Sequence, residues 1–347
     1  MTFSKAIINW YSTNARKLPW RESTDPYLIW VSEIIMQQTR IEQGLAYYLR
    51  FIEAFPNLPS LSKAKEDEVL KLWEGLGYYS RARNMMFAAK QVEEIYNGVF
   101  PNQYHDIVKL KGIGPYTAAA ISSFAFGLPY AVVDGNVLRV LSRYYGIHIP
   151  INSHQGKKLF SKLAQENLNH KDPATYNQAI MEFGSLQCKP ANPNCAICPL
   201  STSCIALSSN SISILPKKEK KLKVLNKYLH FFIIQKNDQF LIEKRDNKGI
   251  WKSLYQLPLI ETKQDEGLET VFKTTEFIDI IGGENFQLKS IQETNHKLTH
   301  RNLFIRFYQL EVSEFAKHSY LQVNMSDLQS LAFPRPIEKY LEAFKQQ

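Results

Sequence analysis

Long hydrophobic runs are missing from this sequence. The first twenty residues do not contain the uninterrupted apolar stretch of a signal peptide, and the most apolar run, Tyr228 to Ile234, is far too short to span a bilayer. These absences argue against a secreted or membrane-spanning protein. We therefore expect a cytoplasmic protein without a membrane partner. Separately, we expect a monomer.

Cysteine is scarce, and its four copies are confined to one window. Cys188, Cys195, Cys198 and Cys204 have the spacing C-x6-C-x2-C-x5-C. Scattered pairs would indicate a disulfide framework, whereas four thiols in one short loop indicate a single metal centre. A four-thiolate zinc site and a cubane iron–sulfur cluster are both possible. Because zinc ligands usually form two close pairs and only Cys195 and Cys198 do so here, the spacing favours iron–sulfur.

Acidic residues are outnumbered, with 33 Asp and Glu against 42 Lys and Arg and a net charge of +9. Part of the excess lies between Pro216 and Lys227, a stretch that holds six lysines and one glutamate. A positive balance of this kind suggests a polyanionic partner.

Strand-like alternation is nearly absent from the first part of the chain. Residues 1–207 have apolar positions at helical spacing, and residues 208–227 are Ser-rich and then Lys-rich, which is typical of an exposed linker. Residues 228–347 mix short β-branched and aromatic runs with helical patterns, which predicts a smaller α+β domain. The expected strands are 228–235, 240–244 and 302–312, and the expected helices lie near 267–278 and 336–344.

One carboxylate lies in a segment that is apolar on nearly all sides. We expect residues 27–41 to form a buried helix in which Glu33 is flanked by Ile29 and Met36. An apolar setting disfavours ionisation and raises the pKa, so Glu33 is a candidate general acid. From this helix alone, a partly exposed residue at a helix edge is the alternative.

Asp134 stands directly before the helical pattern of residues 135–145 and is most simply an N-cap residue. The cap position also supplies amide donors and the positive end of the helix dipole, so we expect a lowered pKa for Asp134. One protonated acid and one anion are the pair that an oxocarbenium-like transition state needs.

Gly112 and Gly114 lie in LKGIGPYT (110–117), between two helical patterns, with Pro115 at the first position of the second. The free amides of such a turn can bind a DNA phosphate. For this motif alone, a plain tight turn between helices is the simpler interpretation.

Together these segments resemble the helix–hairpin–helix DNA glycosylases with a four-cysteine cluster, and within them the MutY-type adenine glycosylases. The resemblance implies a mainly α glycosylase domain and repair of adenine opposite 8-oxoguanine or guanine in double-stranded DNA. It also implies that the four cysteines hold a [4Fe-4S] cluster. The matching stretches are LPWR (18–21), VSEIIMQQT (31–39), WEGLGYYSRARN (73–84), LKGIGPYTA (110–118), VDGNVLRVLSR (133–143) and the cysteine loop.

For the active site, the resemblance implies that Glu33 protonates adenine at N7 and that Asp134 stabilises, or transiently bonds, the sugar cation. Tyr116 and Asn136 would position these two carboxylates. The residues expected to contact DNA are Arg21, Gln38 and Thr39 at or near the extruded base, Leu76 and Tyr78 around the opposite guanine, and Gly112 and Gly114 in the hairpin.

One position separates the close relatives. The endonuclease III branch carries a lysine nucleophile shortly after the hairpin, where this sequence has Tyr116, and Lys111 does not occupy that slot. The resemblance therefore implies a monofunctional enzyme that hydrolyses with water and leaves an abasic site. The alternatives are a bifunctional glycosylase/lyase acting on oxidised pyrimidines, and a non-catalytic iron–sulfur DNA-binding module, which would leave the paired carboxylates unexplained.

Residues 228–347 resemble the MutT-like (Nudix-like) C-terminal domain of the same family. The glutamate-rich magnesium box of Nudix hydrolases is missing, because GLETVFKTTEFIDIIG (267–282) has no REx2E core, and this argues against a nucleotide hydrolase. The segment HKLTHR (296–301) resembles the loop that contacts the damaged base. Thr299 stands there where a serine is common, and His300 follows it, so we expect a lesion-recognition domain.

Overall fold

A computed structural model describes residues 2–219, 224–246, 249–283, 285–316 and 319–344. The described residues form two compact units. The first unit takes its residues from 1–64 and 84–220, and the second takes its residues from 65–83 and 221–347. This division differs from the expected domain ranges in two places. The sequence pattern assigned Lys65–Arg83 to the helical domain, and it assigned residues 208–227 to a linker that the two units divide between them.

The first unit is built from helices, as predicted. Short 3-10 helices at Pro19–Arg21, Cys195–Ile197 and Ser201–Ser203 accompany them. Among the helices that the structure describes, none has the length and apolar character needed to cross a bilayer. Up to residue 208 the α-helices of the chain, including α5 of the second unit, are α1 (Phe3–Asn14), α2 (Pro26–Ile35), α3 (Ile41–Ala54), α4 (Leu58–Ser62), α5 (Glu66–Leu72), α6 (Ser80–Tyr96), α7 (Tyr104–Ile107), α8 (Pro115–Phe126), α9 (Gly135–Tyr144), α10 (His154–Glu166), α11 (Pro173–Leu186) and α12 (Ile205–Ser208).

Local sequence signals set the starts of the helices that carry the candidate site. The Asp25 side chain accepts the Tyr27 N–H ahead of α2, and Asp134 does the same for α9 through Val137. A proline opens α2 and α8, where its missing N–H costs nothing. Helix α11 packs against α1, α8 and α9, and these four helices share one apolar core. Helix α2 packs against α8.

The first part of the predicted linker is exposed at most of its residues, as expected, but it is attached to the first unit and is not a free connection. Leu215 is buried, and its carbonyl accepts a hydrogen bond from Arg143 Nε at 3.0 Å. The Lys217 carbonyl accepts one from the Ile151 N–H at 3.0 Å. Residues 208–219 therefore belong to the first unit, because one buried leucine and backbone hydrogen bonds fix a segment whose composition is otherwise polar. Residues 220–223 of the predicted linker lie outside the described residues.

The second unit is built on a mixed β-sheet. The strand order is β3-β2-β1-β6-β5, with β4 paired to β1 and β7 paired to β2. Strands β1 and β6 are parallel, and the other pairs are antiparallel. The strands are β1 (Leu225–Lys236), β2 (Gln239–Lys244), β3 (Tyr255–Gln256), β4 (Leu259–Thr262), β5 (Phe286–Leu298), β6 (Arg301–Val312) and β7 (Leu321–Asn324), and the helices are α13 (Leu268–Phe272), α14 (Thr275–Ile281) and α15 (Arg335–Phe344).

Helices cover both faces of this sheet. On β1, Phe231 packs into a cluster with Ile337 of α15, whereas Phe232 packs into a second cluster with Phe277 of α14. Because successive strand residues point to opposite faces, a strand covered on both sides becomes a continuous apolar run, as β1 does from Phe231 to Ile234. The expected α+β domain is confirmed, and its three predicted strands lie within β1, β2 and β6.

The segment Lys65–Arg83 belongs to the second unit through hydrogen bonds to loops after β7. Lys71 Nζ donates to the Leu331 carbonyl at 3.0 Å, and Glu74 Oε1 accepts the Phe333 N–H at 2.9 Å. These partners are about 260 positions apart in the chain, with sequence separations of 260 and 259 residues. Periodicity within the segment cannot reveal such partners.

Candidate active site

Glu33 lies on α2 and is buried, with 8% of its surface exposed. The hydroxyl of Tyr116, in the first turn of α8, donates a hydrogen bond to Glu33 Oε2 at 2.6 Å. Burial raises the pKa of Glu33 to about 7, the Tyr116 hydrogen bond opposes the rise, and the nearby charge of Asp134 adds to it. The expected raised pKa is confirmed, and the exposed helix-edge alternative is wrong.

Helix α2 is shorter than predicted. It ends at Ile35, and α3 begins at Ile41, so a turn interrupts the predicted helix of residues 27–41. Gln38 has a φ of +58°, in the left-handed region where a right-handed helix cannot continue. Gln38 is exposed and Thr39 is half-buried. The turn therefore presents both residues, which were expected near the extruded base.

Asp134 caps α9, as predicted. Its Oδ1 accepts the Val137 N–H at 2.7 Å, and its Oδ2 accepts a hydrogen bond from Asn136 Nδ2 at 2.8 Å. The pKa of Asp134 is nevertheless raised, because burial outweighs these hydrogen bonds and the charge of Arg139. The expected lowered pKa is therefore wrong. The cap is a local feature that the sequence shows, whereas the depth of burial depends on the packing of several helices.

Arg139 holds the side chain of Asn136 through a hydrogen bond. Its Nη2 donates to Asn136 Oδ1 at 2.8 Å and to the Gly184 carbonyl at 2.6 Å, and its Nε donates to the Cys188 carbonyl at 2.8 Å. A Cβ at Gly184 would lie 2.7 Å from the Asn136 Cβ, so this close approach requires glycine. Sequence reasoning missed Arg139 and Gly184. A signal for Arg139 was its place three residues after Asn136, on the same helix face.

Arg21 is held in an ion cluster around the buried Glu182. Its two guanidinium nitrogens donate to Glu182 at 2.9 and 3.1 Å, and Arg16 makes a second pair of bonds to the same carboxylate at 2.6 and 2.8 Å. Burial raises the pKa of Glu182, but the hydrogen bonds from both arginines outweigh it and lower the pKa to about 2. The charge of Arg21 in turn lowers the pKa of Glu33. Sequence reasoning missed Glu182, although a carboxylate inside the apolar pattern of α11 was a signal.

The hairpin before α8 has the predicted form, with Gly114 at the N-cap and Pro115 at the first helical position. Gly112 has a φ of +81°, and a Cβ there would lie 2.6 Å from the Asn84 Cβ. Glycine is therefore required at this position for conformation and for packing. Apart from Gly114 and its two chain neighbours, no atom of the described residues lies within 4 Å of the place that a Gly114 Cβ would occupy. This space leaves room for the predicted phosphate contact, which stays a prediction.

A pocket of about 640 Å³ lies within the second unit, and we call it the second-unit pocket. Leu76 and Tyr78 line it from the segment Lys65–Arg83, and Thr299 and His300 line it from the C-terminal region. The Tyr78 hydroxyl and Thr299 Oγ1 are 2.9 Å apart. The structure thus brings together the four residues that the resemblance places around the base opposite adenine or the damaged base.

The segment HKLTHR is not a loop throughout. Strand β5 ends at Leu298 and β6 begins at Arg301, so only Thr299 and His300 form the turn of a β-hairpin. The expected polar loop of residues 296–301 is therefore too long. Residues 296–298 and 301 lie in strands, because the β-ladder continues up to the Leu298–Arg301 pair. A two-residue turn on a paired ladder holds both side chains in a defined place.

Tyr78 is presented by a strained turn. It has a φ of +48° and is 49% exposed, and Gly75 and Gly77 beside it also have positive φ. The Arg81 guanidinium lies over the Trp73 and Tyr78 rings, 5.3 and 5.6 Å from their centroids. A non-glycine residue in the left-handed region is uncommon, and such residues concentrate at functional sites.

The four cysteines follow α11 in the first unit. Arg143 donates from Nη1 to Cys188 Sγ at 3.5 Å and to the Lys189 carbonyl at 2.7 Å. Burial raises the pKa of Cys198 to about 11, and the charges of the other three cysteines raise it further. Over the part of the chain that the structure describes, no three His, Cys, Asp or Glu side chains are placed to hold a single metal ion. Four interacting thiols from one loop are a donor set that fits a four-thiolate cluster.

Comparisons with known proteins match both parts of the chain. Residues 31–166 match the HhH-GPD superfamily base excision DNA repair proteins, and residues 230–343 match the NUDIX domain. A solved structure titled as a thermostable thymine-DNA glycosylase resembles 60% of this chain over 95% of its own length, with a TM-score of 0.56 and 29% sequence identity.

Two relatives are similar to this chain along nearly all of its length. The adenine DNA glycosylases of Buchnera aphidicola subsp. Baizongia pistaciae (strain Bp) and subsp. Schizaphis graminum (strain Sg) are each 36% identical to it. The first alignment covers 99% of this chain and 97% of the relative, and the second covers 99% of both. The chain therefore belongs to the adenine DNA glycosylases of the HhH-GPD superfamily.

Proposed function

We propose that this protein is a monofunctional DNA glycosylase of base excision repair that releases adenine opposite 8-oxoguanine or guanine from double-stranded DNA. The observation that carries the proposal is the buried Glu33, held by the Tyr116 hydroxyl at 2.6 Å and within the electrostatic reach of Asp134. The product is free adenine and an abasic site.

Glu33 supplies the proton that the leaving base needs. With a pKa of about 7, a large share of its carboxyl groups is protonated at neutral pH. Tyr116 holds Oε2, so the proton to be donated is carried by Oε1. Protonation of adenine at N7 draws electrons out of the N-glycosidic bond and makes the base a better leaving group.

Asp134 stabilises the sugar after the base has left. Bond cleavage leaves positive charge at C1′, and a carboxylate removed from water attracts that charge more strongly than an exposed one. Asn136 and the Val137 amide hold its two oxygens in place. Water then adds its oxygen to C1′ and gives up a proton to the Glu33 carboxylate, which restores the acid. A transient bond between Asp134 and C1′ before that step is equally compatible with this geometry.

Tyr116 makes hydrolysis by water the expected outcome. It occupies the position where the endonuclease III branch has a lysine, its hydroxyl is committed to Glu33, and burial raises its pKa well above the ordinary value. A phenol cannot form the Schiff base of a lyase. Tyr116 therefore argues against the bifunctional alternative. The raised pKa of the buried Glu33 beside a second carboxylate argues against a non-catalytic module.

The base opposite the adenine enters the second-unit pocket. 8-Oxoguanine differs from guanine at N7, which carries a hydrogen, and at C8, which carries an oxygen. The Thr299 hydroxyl can accept from N7–H, and the hydroxyl or the His300 imidazole can donate to the C8 oxygen. The pocket volume of about 640 Å³ accommodates one nucleotide-sized group. This role needs no magnesium box.

Duplex DNA is the proposed partner, with the hairpin at Gly112 and Gly114 binding a phosphate and the net charge of +9 favouring association. Arg21, Gln38 and Thr39 are proposed to lie around the extruded base. The monomeric state and the cytoplasmic location stay predictions.

The proposed cofactor is one [4Fe-4S] cluster held by Cys188, Cys195, Cys198 and Cys204. When bound, it cross-links a loop whose secondary structure is limited to short 3-10 helices. Arg143 braces this loop through the carbonyls of Lys189 and Pro190, at 2.7 and 2.9 Å.

Replacing Glu33 with Gln is expected to slow adenine release by about 100- to 10,000-fold, because the donated proton is lost while the shape is kept. The wild-type rate should fall as the pH rises above about 7, where Glu33 loses its proton, and the residual rate of Glu33→Gln should not follow that profile. Single-turnover release from an adenine:8-oxoguanine duplex measures both. Glu53→Gln, an exposed carboxylate of α3, is the matched control and should behave as wild type. Near-normal release by folded Glu33→Gln would rule out the assignment.

Protein purified without air should contain about four iron atoms and four acid-labile sulfides per chain. Removing the cluster with a chelator and an oxidant should make residues 188–204 sensitive to protease while most of the helical signal of the first unit persists. Elemental analysis and limited proteolysis followed by mass spectrometry make the measurement. Stoichiometric zinc without iron in the anaerobic protein would contradict the cluster.

Thr299→Ala combined with His300→Ala should reduce the preference for adenine opposite 8-oxoguanine over adenine opposite guanine by roughly 30-fold, because two hydrogen bonds of about 1 kcal/mol each are lost. The ratio of single-turnover rates on the two duplexes measures the preference. Asn302→Ala, beside the turn but outside the pocket, should keep it. An unchanged ratio in the double variant, or an equal loss on both duplexes, would show that the turn does not read the opposite base.

A further inference from the structure

The second-unit pocket has a wall that the proposed function has not used, formed by Gly249, Ile250 and Trp251. We propose that Trp251 determines specificity, because its indole is the surface against which the base opposite the adenine stacks, and that Arg83 positions it. The inference rests on the proposed function, since it requires that base to enter this pocket.

Recognition of a base needs contacts to its edge and contacts to its face. The Thr299 hydroxyl and the His300 imidazole are small polar groups suited to the edge. The face of a purine is a flat π surface, and aromatic side chains are the groups that stack on it. Trp251, Tyr78 and Tyr79 supply the large aromatic surfaces of the lining. Tyr79 is buried, with 6% of its surface exposed, and the Arg81 guanidinium lies over the Tyr78 ring, 5.6 Å from its centroid. Trp251 is therefore the aromatic group that we assign to stacking.

The backbone around Trp251 is held in an uncommon conformation. Trp251 and Ser253 have φ of +64° and +65°, in the left-handed region that bulky residues rarely adopt. The Leu254 N–H closes the turn on the Trp251 carbonyl at 3.2 Å. The Ser253 N–H donates to the Arg245 carbonyl at 2.7 Å, which ties the turn to the end of β2. Strained conformations persist where the surroundings enforce them, and they concentrate at ligand sites.

Arg83 holds this turn through its side chain. Its Nη1 donates to the Lys252 carbonyl at 2.7 Å, and Arg83 itself lines the pocket. It follows Tyr78 by five residues, so one short stretch of chain carries both the tyrosine and the anchor of the tryptophan. Loss of this hydrogen bond would let the strained turn relax and move the indole.

A structural role for Trp251 gives a different outcome from a recognition role. The residue is partly buried against the core that contains Phe231 and Ile337, and its ring centroid is 6.4 Å from that of His296. If packing were its whole purpose, truncation would lower stability and slow adenine release equally on all duplexes. If it stacks on the opposite base, truncation changes the ratio between duplexes.

The test uses full-length holoenzyme variants at Trp251, compared by single-turnover adenine release and by duplex affinity. Trp251→Ala should lower the preference for the 8-oxoguanine duplex over the guanine duplex by about tenfold, chiefly through weaker binding, because a stacking partner is lost. Trp251→Phe should keep most of the preference. Lys252→Ala, which keeps the backbone carbonyl and removes an exposed side chain, is the matched control. If Trp251→Ala does not fold, Trp251→Leu, which is apolar but not aromatic, replaces it.

Arg83 is tested in the same assay. Arg83→Ala should reproduce the loss of preference while the rate on the guanine duplex stays near wild type, and Arg83→Lys, which keeps a donor, should restore part of it. The positioning role is wrong if Arg83→Ala slows release on both duplexes equally, or if it leaves the ratio unchanged.

The outcomes separate this inference from the proposed function. A wild-type enzyme that releases adenine and prefers 8-oxoguanine, with a Trp251→Ala variant that keeps the same ratio, overturns only the inference. A ratio that is unchanged because both rates fall together overturns it as well. A wild-type enzyme that releases no adenine overturns the proposed function and the inference with it.

Discussion

Burial raises the pKa of a carboxyl group unless its cationic partners outweigh that effect, and the chemistry of the first unit depends on this balance. Helix α2 is apolar on nearly all sides, so it can lie in the interior and take Glu33 with it. Burial then raises the pKa of Glu33 to about 7, where the group can donate a proton near neutral pH. The start of α8 at Pro115 places Tyr116 against this carboxyl, and the cap of α9 places Asp134 within electrostatic reach. A more exposed α2 would leave an ordinary, ionised glutamate.

Burying these acids obliges the fold to satisfy the polar groups around them. Asn136 donates a hydrogen bond to Asp134, and Arg139 donates one to Asn136. Arg139 also donates to the carbonyls of Gly184 and Cys188. The buried Glu182 forms ion pairs with Arg16 and Arg21, and these three residues make a second network. Unpaired buried charges are costly, so each network acts as a unit and fixes the geometry of the residues that it contains. In the second unit, the proposed recognition site is a pocket formed by turns and not a buried polar network. The backbone of these turns is strained at Tyr78 and Trp251.

Features set by neighbouring residues could be predicted from the sequence. The apolar helix around Glu33, the cap at Asp134, the hairpin at Gly112 and the cysteine loop are all local patterns. Features set by distant residues could not. The pKa of Asp134 is raised because several helices bury it, α2 stops early because Gln38 takes a left-handed φ, and Lys65–Arg83 joins the second unit through partners about 260 positions away. The β5–β6 hairpin was missed because β5 is largely exposed and shows no apolar alternation.

The most direct test of the account incubates the protein with duplexes that carry adenine opposite 8-oxoguanine, guanine or thymine, and measures free adenine together with strand breaks before and after alkali. The account predicts adenine release from the first two duplexes, one alkali-sensitive site for each adenine released, and intact strands until alkali is added. Strand cleavage without alkali, accompanied by enzyme trapped on DNA with borohydride, would contradict hydrolysis by water at a site built on Glu33 and Asp134.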